Sequence, residues 1–135
     1  MNPKWSDTYS VGDSKIDHNH KEVFELVSML DSAIRNDSSE EAVGEIVDFL
    51  NHYVEDHFSE EEAYMKTICY AHIDEHSREH RYLRLLVHEL SEHFKSNASI
   101  THSIFQIRRF IDRLILHIIL IDTRLAEATP KGPMS

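Results

Sequence analysis

The sequence predicts an all-α fold, an antiparallel up-down-up-down four-helix bundle with an N-terminal arm, and three observations carry that expectation. Apolar residues recur at steps of three and four over four long stretches, which is the period of a helix with one buried face. Only three Gly and three Pro occur in 135 residues, all but Gly44 close to the termini, so a β-rich fold has no residues to make its turns. The links between the stretches are short, which makes successive helices antiparallel neighbours. The length suits one domain spanning 1–135.

Residues 1–16 read as an ordered arm, whose spaced Trp5, Tyr9, Val11 and Ile16 pack over one end of the domain. Asp17 is the expected N-cap of a first helix over roughly 18–36, with Val23, Phe24, Val27, Leu30 and Ile34 as its stripe. Residues 36–39 form a turn, and Ser38 with Glu41 makes a capping box for a second helix that runs to about residue 66. Its stripe is Val43, Ile46, Val47, Leu50, Tyr53, Val54, His57, Phe58, Glu61 and Met65. A link over 67–71 leads to a third helix, 72–95, with Ile73, His76, His80, Leu83, Val87 and Leu90 facing inward. Asn97 or Ser99 caps a fourth helix over 100–128, and residues 129–135 form a disordered tail. On this last helix Ile111, Leu114, Ile118, Ile121 and Leu125 make one stripe, which Ile115, Leu116 and Ile119 widen. That surplus is a candidate patch for a homo-oligomer or a protein partner.

The formal charge of −10 repels phosphates, which excludes nucleic acid as a partner and disfavours an anionic membrane surface. The longest apolar run, eight residues at 114–121, is far short of the roughly 20 needed to span a bilayer. Cys69 is the only cysteine and no apolar leader precedes the arm, so a reducing cytoplasm is the expected location.

The polar exceptions in these stripes point to function. The chain holds eleven histidines, and His57 with Glu61 and His76 with His80 are four residues apart, in phase with the apolar face. Positions four apart differ by about 40° around a helix, so both side chains can reach one ion. His20 and His117 add an imidazole from each of the other two helices. One inward histidine is more often a satisfied core residue than a ligand. Five imidazoles and two carboxylates are not accepted by an apolar core unless they are paired or bound to metal.

Spacing alone leaves choices open. Glu60, Glu61 and Glu62 all lie near His57, and His72, His76 and His80 form a ladder with two possible pairs, although His72 falls at a helix start. His117 and Asp122 are five apart, about 140° on an ideal helix, and would need a π-type widening to share a face. His18, His52, His88, His93 and His102 read as surface residues. The donor set also leaves zinc, copper and manganese as competitors of iron.

Taken together, the motifs resemble those of the hemerythrin family, and its single-domain bacterial members in particular. W-S-D-T-Y-S-V-G with I-D-H-N-H-K is similar to the family's arm and first ligand, H-F-S-E-E-E-A-Y-M to its second-helix motif, Y-A-H-I-D-E-H-S-R-E-H to its third, and H-I-I-L-I-D to its last. The resemblance spans Trp5 to about Leu125 and selects His20, His57, Glu61, His76, His80, His117 and Asp122 as metal ligands. Asn19, Ala71 and Arg113 stand where the family usually has Gln, Pro and often Trp.

What the resemblance implies is a non-haem di-iron centre, oxo- or hydroxo-bridged. One iron would take His76, His80 and His117, and the other His20 and His57 with one site open for dioxygen. Glu61 and Asp122 would bridge the pair. The expected function is reversible dioxygen binding for carriage, storage or delivery, without enzymatic turnover. The alternatives are a di-iron redox enzyme or scavenger of peroxide or nitric oxide, and an oxygen sensor acting through a separate partner.

Overall fold

A computed structural model describes residues 3–35, 39–96 and 99–129 of the chain. Among these residues four helical rods form the expected all-α bundle. The first is α1 (Ser14–Arg35). The second is continuous through α2 (Ser39–His52), a π turn at Tyr53–His57 and α3 (Phe58–Thr67). The third is α4 (Ile73–Lys95). The fourth is α5 (Ile100–Leu120), which passes through a 3₁₀ turn at Asp122–Arg124 into the short α6 (Leu125–Ala128). Each rod packs against the next, and α5 closes the ring against α1. Side chains from near the starts of α1 and α4 meet side chains from the later parts of the second and fourth rods. The rods therefore alternate in direction.

The arm behaves as its large residues require. Trp5 and Tyr9 pack edge-on to one another, and Tyr9 stacks on Phe24 of α1 with ring centroids 5.7 Å apart. Asp13, not Asp17, caps α1: its Oδ1 accepts the Ile16 N–H at 3.0 Å, so the helix starts one turn earlier than expected. Asp17 instead ties the arm to the helix, accepting the Val11 N–H at 2.8 Å and the Ser10 hydroxyl. The proposed capping box at Ser38, the turn at 36–38, Asn97 and residues 130–135 of the tail lie outside the described residues. Ser99 precedes α5 without a side-chain capping bond.

All ten stripe residues expected on the second rod are buried. On α1 the stripe is corrected at one position, because Ile34 is exposed and Leu26 and Ala33 are buried in its stead. The surplus on the fourth rod narrows likewise. Ile115 is buried, Ile119 is half-buried, and Leu116 and Leu120 are left largely exposed. No helix among the described residues is long and apolar enough to cross a membrane.

Two apolar clusters hold the bundle. The larger fills most of its length with residues such as Val27, Leu30, Ile46, Leu50, Leu83 and Ile107. Burying each such side chain contributes about 1.5–3 kcal/mol before the entropy of ordering the chain is subtracted. The smaller cluster gathers Val11 of the arm, Ile16, Met65, Tyr70 and Leu125. It is fixed by the end of α3, where Tyr70 N–H bonds to Met65 O at 2.9 Å and Cys69 N–H to Lys66 O at 3.1 Å. That pair of bonds is a Schellman termination, and it puts Cys69 in the left-handed region at φ 54°, where glycine is the usual occupant.

Candidate metal centre

Seven side chains from the four rods converge in the interior, and all seven are at most 4% exposed: His20, His57, Glu61, His76, His80, His117 and Asp122. The structure thus brings together every residue expected at the site. His20 comes from α1, His57 from the last position of the π turn, Glu61 from α3, His76 and His80 from α4, and His117 from α5. Asp122 reaches in from the 3₁₀ turn.

The π-type widening expected between His117 and Asp122 is absent there. The helix ends at Leu120, Ile121 adopts φ −111° and ψ −53°, and the tighter 3₁₀ turn swings Asp122 Oδ1 to 3.0 Å from His117 Nε2. The π turn lies on the second rod instead, at Tyr53–His57, and its widened turn stacks the Tyr53 ring on His57 at 4.5 Å.

The carboxylates divide the histidines into two groups. Glu61 Oε1 lies 2.8 Å from His76 Nε2 and 3.1 Å from His80 Nε2. Its other oxygen, Oε2, lies 3.2 Å from His20 Nε2 and 3.1 Å from His57 Nε2. Asp122 repeats the division, with Oδ1 at 2.9 Å from His76 and 3.0 Å from His117, and Oδ2 at 3.0 Å from His20. One half therefore contains three imidazoles and the other two, with a carboxylate oxygen from both Glu61 and Asp122 on each side.

His20 and His80 Nε2 hydrogen-bond to Glu61, but not every close approach here is a hydrogen bond. His57, His76 and His117 Nε2 and Asp122 Oδ1 make no directed hydrogen bond among the described residues, although partners stand within 2.8–3.1 Å. Two overlapping ligand groups result: Glu61, His76, His80, His117 and Asp122, and His20, His57 and Glu61. The ligand atoms within each group lie no more than 4.8 Å apart, close enough to share a common cation. Neutral imidazoles with carboxylates are a donor set for a first-row divalent metal, and the buried cluster fits a non-haem iron site.

Burial works against charge on His20, His76 and His117, but the facing Asp122 and Glu61 outweigh it and raise them to about 9, 9 and 10. Burial likewise opposes ionisation of Glu61 and Asp122, and the surrounding histidines overcome it and hold both well below the usual carboxylate range.

Behind the ligands stand residues that sequence reasoning did not assign. The Asn19 amide lies 3.1 Å from His57 Nδ1, so the residue shorter than the expected Gln still reaches the ring. Glu62, set aside as a ligand, accepts the His80 Nδ1 proton at 2.7 Å and pairs with Arg84 Nη1 at 3.2 Å. Glu79 Oε1 is 3.8 Å from His117 Nδ1 and 3.0 Å from Arg113 Nη2. His117 and Arg113 hold the Glu79 carboxyl down to about 2. Arg113 is thus part of the support of His117, with its guanidinium 5.0 Å from the Tyr82 ring centroid. Its spacing of four from His117 was the one available hint. Phe58 lies flat against His80 at 3.9 Å with an interplanar angle of 3°.

His72 is exposed at the N-cap of α4, which leaves His76 and His80 as the buried rungs of the ladder. Of the histidines read as surface residues, His18, His52, His88 and His102 are exposed, whereas His93 is half-buried with its ring 4.6 Å from that of His102. Ala71, in the link before α4, is exposed.

Comparison with known proteins agrees with the geometry. The family described as "Hemerythrin HHE cation binding domain" matches residues 11–128. A bacteriohemerythrin of Clostridium acetobutylicum is 34% identical over 79 residues, covering 56% of this chain and 61% of the relative. A bacteriohemerythrin of Campylobacter jejuni is 32% identical over 81 residues, 60% of this chain and 61% of the relative. A myohemerythrin of Theromyzon tessulatum is 32% identical over 77 residues, 57% and 58% of the two chains. The aligned part spans about three-fifths of the length of these curated relatives. No solved structure matches the chain significantly. With seven buried donors at the expected positions and a family match across nearly all of its described residues, this chain belongs to the hemerythrin family.

Proposed function

We propose that the protein binds dioxygen reversibly at a non-haem di-iron centre, for carriage, storage or delivery within the cytoplasm. The three-to-two division of the imidazoles between the carboxylate oxygens carries this reading. His76, His80 and His117 would hold one iron, His20 and His57 the other, and Glu61 and Asp122 both. The half with two imidazoles is one protein donor short, which leaves room for a small exogenous ligand there. When bound, the iron pair supplies the two-electron redox chemistry that reversible dioxygen binding needs.

The chain's own part is to hold the centre rigid and dry. Both clusters of apolar side chains and the flat contact of Phe58 on His80 keep bulk water away, so charge on the carboxylates is felt strongly. A neutral imidazole set restrains further oxidation, in contrast to sites built mainly from glutamates. A surface cleft of about 180 Å³, lined by His57 itself with Asn19, Glu22, Tyr53 and Glu60 among others, brings solvent-accessible space up to one of these imidazoles. Association, where it occurs through the fourth rod, would use Leu116 and Leu120.

Iron content and the visible spectrum test the proposal, taken on reduced anaerobic protein, then after admitting oxygen and again after removing it. Two irons per chain and a charge-transfer band that appears with oxygen and fades on its removal are expected. Irreversible oxidation with no oxygen-dependent band would replace the carrier with a redox enzyme or scavenger.

A further inference from the structure

We infer that the centre fills in a fixed order, the His76–His80–His117 half first and more tightly, the His20–His57 half second, because only the first is backed by carboxylates. The inference rests on the two-metal reading above. Its basis is the atom on each imidazole that faces away from the centre.

In the three-histidine half, His80 Nδ1 donates to Glu62 at 2.7 Å, and Arg84 holds that carboxylate in place at 3.2 Å. Arg84 is itself anchored, with Nε donating to Val54 O at 3.0 Å. His117 repeats the pattern more loosely: Glu79 lies 3.8 Å from Nδ1, a charge contact longer than a hydrogen bond, and Arg113 steadies it at 3.0 Å, while His76 Nδ1 is buried without a hydrogen-bond partner among the described residues. In the two-histidine half no carboxylate among the described residues hydrogen-bonds to the outward nitrogen of either ring. His57 Nδ1 meets the neutral amide of Asn19 at 3.1 Å, and His20 Nδ1 is buried without a hydrogen-bond partner among the described residues.

The consequence follows from the electronics of imidazole. An anion that accepts the Nδ1 proton pushes density through the ring to Nε2, fixes the tautomer and sets the ring plane, and so strengthens the bond Nε2 makes to a metal. A neutral amide orients the ring but adds no charge. The same side chains also balance a cation: Glu62 and Glu79 stand next to the first half, each tempered by an arginine but not removed by it. A difference in imidazole number would produce some ordering without help, so the test must alter the backing carboxylates and leave the ligands alone.

Titration of the metal-free full chain with Co²⁺ against a competing chelator, followed by visible absorption and calorimetry, reads the two steps separately. The native protein should take two Co²⁺ per chain in resolved steps. Glu62→Gln keeps a hydrogen-bond acceptor and removes the charge, and should weaken the first step by about 10–100-fold while sparing the second. Glu79→Gln should act in the same direction by less, as 3.8 Å is the looser contact. Asn19→Asp is the opposite experiment, since it places a carboxylate behind His57 and should strengthen the second step without needing the bundle to tolerate a loss. Two equal steps in the native protein, or an equal weakening of both steps in Glu62→Gln with no gain in Asn19→Asp, would overturn the ordering. Fewer than two Co²⁺ per chain would overturn the two-metal reading itself.

Discussion

On α1 the face that presents His20 continues one turn later as Phe24 and Val23, then as Val27 and Leu30, and every one of these is buried. The second rod does the same in reverse, from Val43, Ile46 and Leu50 to His57 and Glu61. One region of the interior is thus a close-packed apolar core and the other a knot of imidazoles and carboxylates, built on the same helical stripes. The comparison separates two requirements that periodicity merges. Apolar side chains need only volume and contact, so many residues of similar size will serve. Buried polar side chains need specific partners, and each one left without a partner costs more than the net worth of the bond it lost. The apolar region stabilises the fold and tolerates exchange, whereas the polar region needs a cation and tolerates almost none.

The largest effect expected from breaking this comparison is at Glu61, whose two oxygens face both groups of histidines and reach four of the five rings, against three for Asp122. Glu61→Ala should abolish binding of both metals, read as iron per chain below one-tenth of the native content. Retention of two irons would remove Glu61 from the ligand set. On the apolar side, Leu30→Ala should cost about 2–5 kcal/mol in urea unfolding and leave iron stoichiometry at the native value. If iron were lost in a variant that still folds, the two regions would not be separable.

Next in size is a pH effect confined to the polar region. In the metal-free protein His20, His76 and His117 are raised from 6.5 to about 9–10, so their protonation stabilises the fold fully below pH 6.5. That contribution is lost as pH rises through 9–10, because the unfolded chain has already released those protons. The melting temperature of the metal-free protein should therefore fall between pH 6.5 and 10. In the iron-loaded protein neutral imidazoles already serve as donors, and the slope over that window should vanish. Parallel slopes in both forms would show that the histidines hold no protons in the metal's place.

Smaller effects sharpen the borders of the two regions. Cys69→Gly relieves the left-handed residue that ends α3 and should raise stability by about 1 kcal/mol in the same urea assay. A loss instead would mean that the side chain contributes packing beyond the backbone geometry. His72→Ala, at the exposed cap of α4, should change neither iron content nor stability by more than about 0.5 kcal/mol. Iron loss in that variant would shift the ligand pair one rung along the ladder.

The sequence by itself determined the four rods, their alternating direction and most of the buried stripes, with His57, Glu61, His76 and His80 as polar candidates in phase with them. These follow from local geometry: helical spacing fixes which side chains share a face, and short links fix the order of neighbours. Choosing Glu61 over Glu60 and Glu62, and His76 and His80 over His72, needed the motif resemblance, and the structure buries the same residues. Tertiary structure alone decided what spacing cannot encode. A backbone departure at Ile121 brings Asp122 to His117, and the π turn belongs to Tyr53–His57. Asp13 rather than Asp17 caps α1, because the helix starts where a carboxylate can meet its first free N–H groups. Asn19, Glu62 and Glu79 find their imidazoles across gaps between helices, at sequence separations of 38, 18 and 38 residues set by packing and not by any period. Periodicity names the face of a helix; the distances between faces, and therefore the partners of each ring, exist only once the bundle has closed.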